Sequence, residues 1–293
     1  LNLIGALYEL HNNNFYNLHN IESIYGVSAG SVIGAVLCLK PDWDDIIKYC
    51  IERPWEKCFN FDTNDYLNII DKKGIIGIDM LKNFINPFFE CNDLNLDTLT
   101  LKELYDFTKI NLNVYAVNTD TFKSEHFNHI ICPDMKLIEA IYMSSSMPFV
   151  FKPVIDNNKC YIDGGLIDNF PLGELLNDNK DNKNIENEIF AIKVIQKDII
   201  NTPLTNESNI INYIQLIISS LRLLSSKESE EFTIKNMIIC KINNSIFNIE
   251  TWTNLFNNEN FRNELVLDGI NESNQFITEF KNSVNVSYEG FAS

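Results

Sequence analysis

The apolar positions of this chain follow two rhythms that alternate along its first two hundred residues. Leu3, Ile4, Leu7 and Leu10 recur at helical spacing and predict an amphipathic helix over residues 2–13. Residues 21–25 (IESIY) predict a short strand, 26–30 a turn, and 31–39 (SVIGAVLCL) an apolar helix. Helices are expected at 42–51, 79–89, 100–109 and 136–144, with an irregular aromatic stretch at 53–79. Residues 112–117 (LNVYAV) carry the long apolar run of a strand buried on both faces. Residues 159–163 and 188–195 (EIFAIKVI) are expected to be strands as well.

Strands separated by helices imply a layered α/β domain with a largely parallel sheet. The polar stretch 177–187 (NDNKDNKNIEN) predicts a surface loop inside that domain, because strand 188–195 is needed to complete the sheet. The last hundred residues predict a helix at 208–225, a strand at 237–242, helices at 250–257 and 260–280, and a frayed tail at 282–293. No repeat is visible. The most apolar later stretch, Ile210 to Leu224, is too short to span a bilayer and is interrupted by Asn212, Gln215 and Arg222.

Composition narrows the partners. The 293 residues are 45% hydrophobic, enough for a substantial core, and carry a formal net charge of −17. A surface this acidic repels phosphate backbones, which argues against nucleic acid, and it repels anionic headgroups, so any membrane contact must rest on apolar surface. Seven cysteines (Cys38, Cys50, Cys58, Cys91, Cys132, Cys160 and Cys240) form no C-x-x-C pair and have no metal-ligand spacing. They predict reduced thiols in a cytoplasmic protein, which could sit peripherally on a membrane, with no metal and no cofactor. Helical spacing that begins at Leu1, with no capping residue ahead of it, makes the chain read as a fragment.

The chemistry concentrates at two places. Gly26, Ser28 and Gly30 form a G-x-S-x-G between a strand and an apolar helix, the setting of a nucleophile elbow. A sharp turn lifts the serine oxygen away from the sheet, the flanking glycines avoid clashes, and the following helix aims its N-terminal amides at the same spot. The bland alternative is a glycine-packed turn with Ser28 as a helix cap. A serine also needs a base. The histidines are His11, His19, His126 and His129, so none follows residue 129. The last two lie in KSEHFNHI, which is expected to be an exposed, hairpin-like loop. Asp163 is the better candidate base: it ends a strand and is followed by Gly164 and Gly165, which permit positive φ and close backbone approach. The competing reading is an ordinary Asp-Gly turn.

GVSAG before an apolar helix, followed by DGGLIDNFP, resembles the patatin-like phospholipase family. EAIYMSSSMPFVFKPV (139–154), VYAVNTDT (114–121) and the segment from Phe247 to Gly269 are similar to further stretches of that family. The resemblance covers roughly residues 2–280 and is strongest in 24–40 and 139–172. It implies a three-layer α/β/α patatin-like fold over a single domain, 1–293, with a mostly parallel central sheet. It also implies a Ser-Asp dyad, Ser28 as nucleophile and Asp163 as base, that cleaves the acyl ester bonds of phospholipids or other acyl lipids at a membrane or micelle surface. Ala29 would donate its backbone N–H to the oxyanion. The rest of the oxyanion hole would come from the family's glycine-rich loop, upstream of Leu1, and the chain as it stands is expected to be inactive or very weak without it. Phe59, Phe61, Phe88, Phe89, Phe149, Phe151 and Phe170 are candidates to line an acyl groove. Two alternatives stay open: an α/β-hydrolase-type esterase or thioesterase using His126 or His129, and a non-catalytic lipid-binding member. Nucleotide binding finds no Walker or G-x-G-x-x-G motif.

Overall fold

The computed structural model describes residues 1–57, 71, 73–156, 159–196, 204–206, 208, 212–214, 216–220, 234–242 and 249–289. Helix α1 (Asn2–Asn12) leads into strand β1 (Ser23–Val27), helix α2 (Ala29–Cys38) and helix α3 (Trp43–Glu52). Helices α4 (Ile78–Glu90) and α5 (Leu101–Thr108) precede a hairpin of β2 (Asn111–Asn118) and β3 (Lys123–Phe127). Helix α6 (Leu137–Ser145) is followed by β4 (Val154–Asp156) and β5 (Lys159–Asp163). Then come α7 (Leu172–Asp178), the short α8 (Ile185–Glu188), β6 (Ala191–Gln196), β7 (Met237–Ile242), α9 (Ile249–Asn257) and α10 (Glu259–Glu289).

Local signals set the clearest boundaries. Asp42 caps α3 by accepting from the amides of Asp44 and Asp45. Thr100 and Glu103 form a capping box at the start of α5, which ends at Lys109 in the left-handed conformation.

Strand β2 is the axis of the sheet. It pairs parallel with β1 (Val27 opposite Tyr115) and antiparallel with β3 (Val114 opposite Phe127 through Asn118 opposite Lys123). It also pairs antiparallel with β5, where Ala116 lies opposite Asp163. A strand has two edges, and β3 occupies one of them along Val114–Asn118. Strands β1 and β5 therefore follow each other along the other edge, running toward one another and ending at adjacent β2 positions, Tyr115 and Ala116. Strand β4 extends the sheet from β5, while β6 and β7 form a separate parallel pair. The pairing is thus parallel at β1–β2 and β6–β7 and antiparallel elsewhere among the described strands, so the central sheet is mixed where a largely parallel one was expected, and the strand expected at 188–195 pairs with β7 and not with that sheet.

The core sits where Leu112, Val114 and Ala116 of β2 meet Val32, Ala35 and Val36 of α2, Ala140 and Ile141 of α6, and Ile85 and Phe89 of α4. Burying each large side chain there contributes about 1.5–3 kcal/mol. Asn113 and Asn118 are also buried in β2 but keep their hydrogen bonds: Asn113 Oδ1 accepts from Asn128, and Asn118 donates to Glu125. Helix α10 lies against α1 at very short range. A Cβ on Gly5 would run into the Val266 carbonyl, and one on Gly269 into the Asn2 carbonyl. Ser273 donates to the Ala6 carbonyl at 3.1 Å, and Arg262 Nε to the Ile51 carbonyl at 2.8 Å.

Several expectations change. KSEHF is strand β3 and not an exposed loop, because it pairs with β2: only Lys123 and Ser124 are exposed, Glu125 and His126 are half-buried, and Phe127 packs into the core. Strand β4 and helices α7 and α8 were not expected, being too short or too polar to show a period. Helix α10 runs past the expected end at 280 to Glu289, with neither proline nor glycine in residues 270–289 to interrupt it, and residues 290–293 of the tail lie outside the described residues. Much of the helix expected at 208–225 lies outside the described residues, as do Phe59, Phe61 and Cys58; residues 212–214 and 216–220 are helical. Among the described residues no helix is long and apolar enough to cross a membrane. The six described cysteines are free thiols, and burial pushes Cys38 up to about 12 and Cys50 up to about 11, which leaves them unreactive near neutral pH.

Candidate active site

Ser28 sits at the hinge between the end of β1 and the first residue of α2, with φ 53° and ψ −126°. A non-glycine residue there costs about 1–3 kcal/mol and persists only where its surroundings hold it. The helix supplies part of that hold: Ser31 N–H and Oγ both donate to the Ser28 carbonyl, at 2.9 and 2.7 Å. The first turn of α2 folds back over Gly26, so a Cβ on Gly26 would lie 2.6 Å from the Gly30 carbonyl oxygen. Gly30 is different. A Cβ there would meet nothing within 4 Å, so the expected steric need for glycine holds at Gly26 and not at Gly30.

Asp163 ends β5 and is 1% exposed. The Ser28 hydroxyl donates to Asp163 Oδ2 at 2.5 Å. That length is typical of an O–H donating to an ionised carboxylate. Asp163 Oδ1 accepts from Gly165 N–H at 2.7 Å, which fixes the carboxylate plane. Gly164 has the close approach expected of it, since a Cβ would lie 2.5 Å from the Tyr115 carbonyl oxygen. The expected positive φ is absent: no glycine in the described chain has one, and the two glycines form a 3-10 turn instead. Ala29 is the first residue of α2, where first-turn amides lack intrahelical partners, so its N–H is available beside Ser28.

One feature that residue chemistry had not singled out is the serine run at the end of α6. Ser28 N–H donates to Ser144 Oγ at 2.9 Å, and Asp163 N–H donates to the Ser146 carbonyl at 3.0 Å. The sequence marked the stretch only through the resemblance of 139–154 and its three consecutive serines before Met147 and Pro148, with no role for any one of them.

The histidines are engaged elsewhere. His126 Nε2 lies 2.8 Å from Asn113 Oδ1, and its ring stacks on Tyr115 at 4.6 Å. His129 Nδ1 lies 3.0 Å from Asn111 Oδ1, with its ring stacked on Tyr105. Both are held below the ordinary histidine range, mainly by burial.

A cavity of about 1280 Å³ opens beside the serine, lined among others by Ser28, Gly30, Ile33, Leu37, Met147 and Phe170. Of the aromatic candidates, Phe170 lines it, whereas Phe89 is fully buried in the core and Phe88 and Phe151 pack against that core. Phe149 is 45% exposed and has φ 68°.

A sequence profile described as patatin-like phospholipase matches residues 3–176, a shorter reach than the resemblance read from the motifs. Uncharacterized protein R571 of Acanthamoeba polyphaga mimivirus is 27% identical over 170 residues, 58% of this chain and 55% of that protein. The probable lipid hydrolase 463L of Invertebrate iridescent virus 6 is 26% identical over 200 residues, 66% of this chain and 65% of that protein. The chain thus spans between half and two thirds of the length of these curated relatives. Among solved structures, VipD from Legionella pneumophila aligns with a TM-score of 0.51 at 16% identity, over 94% of this chain and 64% of that one. That likeness supports the layered α/β fold.

Proposed function

The chain belongs to the patatin-like phospholipase family, and from that premise we propose that it is a serine lipid acyl hydrolase working through a Ser28–Asp163 dyad. The observation that carries the reading is the 2.5 Å hydrogen bond from Ser28 Oγ to Asp163 Oδ2 at the meeting of two strand ends. Asp163 accepts the serine proton as Oγ attacks the ester carbonyl, and Ala29 N–H stabilises the oxyanion. The proton returns to the leaving alcohol or lysolipid, and an acyl-Ser28 remains. Asp163 then takes a proton from water, whose oxygen attacks the acyl carbon; the acyl C–Oγ bond breaks, the fatty acid leaves, and Asp163 returns the proton to Ser28 Oγ. The substrate is an acyl lipid, phospholipid or neutral glycerolipid, met at a membrane or micelle surface, and the cavity beside Ser28 gives an acyl chain room. We read residues 1–293 as one domain, a reading supported by the close packing of α10 on α1.

A fluorophosphonate probe tests this dyad without needing lipid. The expected result is a single adduct on Ser28, formed about 10²–10⁴-fold more slowly in Asp163→Asn, as removal of a general base predicts. An adduct at another residue, or an undiminished rate in Asp163→Asn, would count against the dyad.

A further inference from the structure

We infer that Ser144 is a positioning residue for the nucleophile, and that the end of helix α6 ties both members of the dyad together by their backbones. The inference rests on the reading of Ser28 as nucleophile. Ser144, Ser145 and Ser146 are consecutive and buried, yet their hydroxyls do different things. Ser145 Oγ donates to the Ile141 carbonyl at 2.8 Å, and Ser146 Oγ to the Tyr142 carbonyl at 2.6 Å. Both are the ordinary back-bonds of a serine to the preceding helical turn. Ser144 Oγ instead accepts the N–H of Ser28, 116 residues away in sequence, at 2.9 Å.

That N–H has nowhere else to go. Ser28 stands after the last residue of β1 and before the first residue of α2, outside both ladders. Its φ of 53° turns the peptide plane out of the strand direction. Without an acceptor the amide would be drawn to water or to a relaxed backbone, and the hydroxyl would swing from Asp163. Two residues beyond Ser144, the Ser146 carbonyl accepts the N–H of Asp163 at 3.0 Å. One helix end therefore sets the spacing between nucleophile and base. A serine is needed at 144 because the acceptor must be short, uncharged and free of its own helix; alanine offers no acceptor, and cysteine offers a weak one.

The test compares Ser144→Ala, the nearly isosteric Ser144→Cys and the control Ser145→Ala, each checked by thermal melt and assayed for fluorophosphonate labelling of Ser28. Labelling reads the geometry at Ser28 independently of lipid binding. A misplacement of about 1 Å costs about 10²-fold, so labelling is expected to fall about 10–100-fold in both Ser144 variants and to stay near wild type in Ser145→Ala. With a lipid substrate kcat is expected to fall while KM holds. A wild-type labelling rate in either folded Ser144 variant, or an equal fall in Ser145→Ala, would overturn the inference. Ser28→Ala runs alongside: labelling that survives there defeats the nucleophile reading itself, which separates the two failures.

Discussion

Ser28 holds its hydroxyl against a buried carboxylate while its backbone is pinned from two sides, by Ser31 and by Ser144. The histidines illustrate the opposite case, groups with the right chemistry and the wrong partners. His126 is held below its usual range mainly by burial, with Asp178 pulling weakly the other way, so it is neutral at pH 7. Its Nε2 is nonetheless taken by Asn113. A general base contributes about 10²–10⁴-fold. His126→Asn and His129→Asn are expected to leave kcat nearly unchanged and to leave the pH–rate profile without a shifted step near the histidine range. A loss on the general-base scale in either variant would restore the imidazole to the mechanism. The sequence pointed away from these residues for a partly wrong reason. They do not float in a loop; they sit on a strand and its following turn, stacked on tyrosines.

At the scale of elements, the site is made by two strands that end head to head on one edge of β2. Each end was legible. Glycine at 26 and serine at 28 before an apolar run marked the elbow, and Asp-Gly-Gly after CYI marked the base. Their meeting was not legible from periodicity, since it depends on register between residues 135 apart. The glycines also divide more finely than their motif suggests. Gly164→Ala forces a methyl into the Tyr115 carbonyl and is expected to cost about 1–3 kcal/mol. Gly30→Ala enters open space at the start of α2, where alanine favours helix by up to about 1 kcal/mol. Urea unfolding midpoints are expected to fall in the first variant and to hold or rise in the second. Equal midpoints would mean that the close packing at Gly164 is not what its position demands. The short β4 and the polar β3 escaped sequence reading for a related reason: edge strands carry too few core-facing positions to show a period.

Across the whole molecule, the first and last helices clasp through Gly5 and Gly269, so the two ends of the chain share one core with the site between them. The layered α/β architecture was readable from alternating strand and helix patterns, whereas the long continuous α10 was underestimated because its polar residues hide its period. The net charge of −17 over these 293 residues sets a further condition: approach to an anionic bilayer is electrostatically opposed, and apolar surface must carry it. The most direct test measures fatty-acid release from mixed phospholipid vesicles by the full-length protein, with any glycine-rich loop it carries, and by its Ser28→Ala variant. The account predicts release by the wild type and none above background from Ser28→Ala. Release that persists in Ser28→Ala, or a wild type that releases nothing, would contradict it.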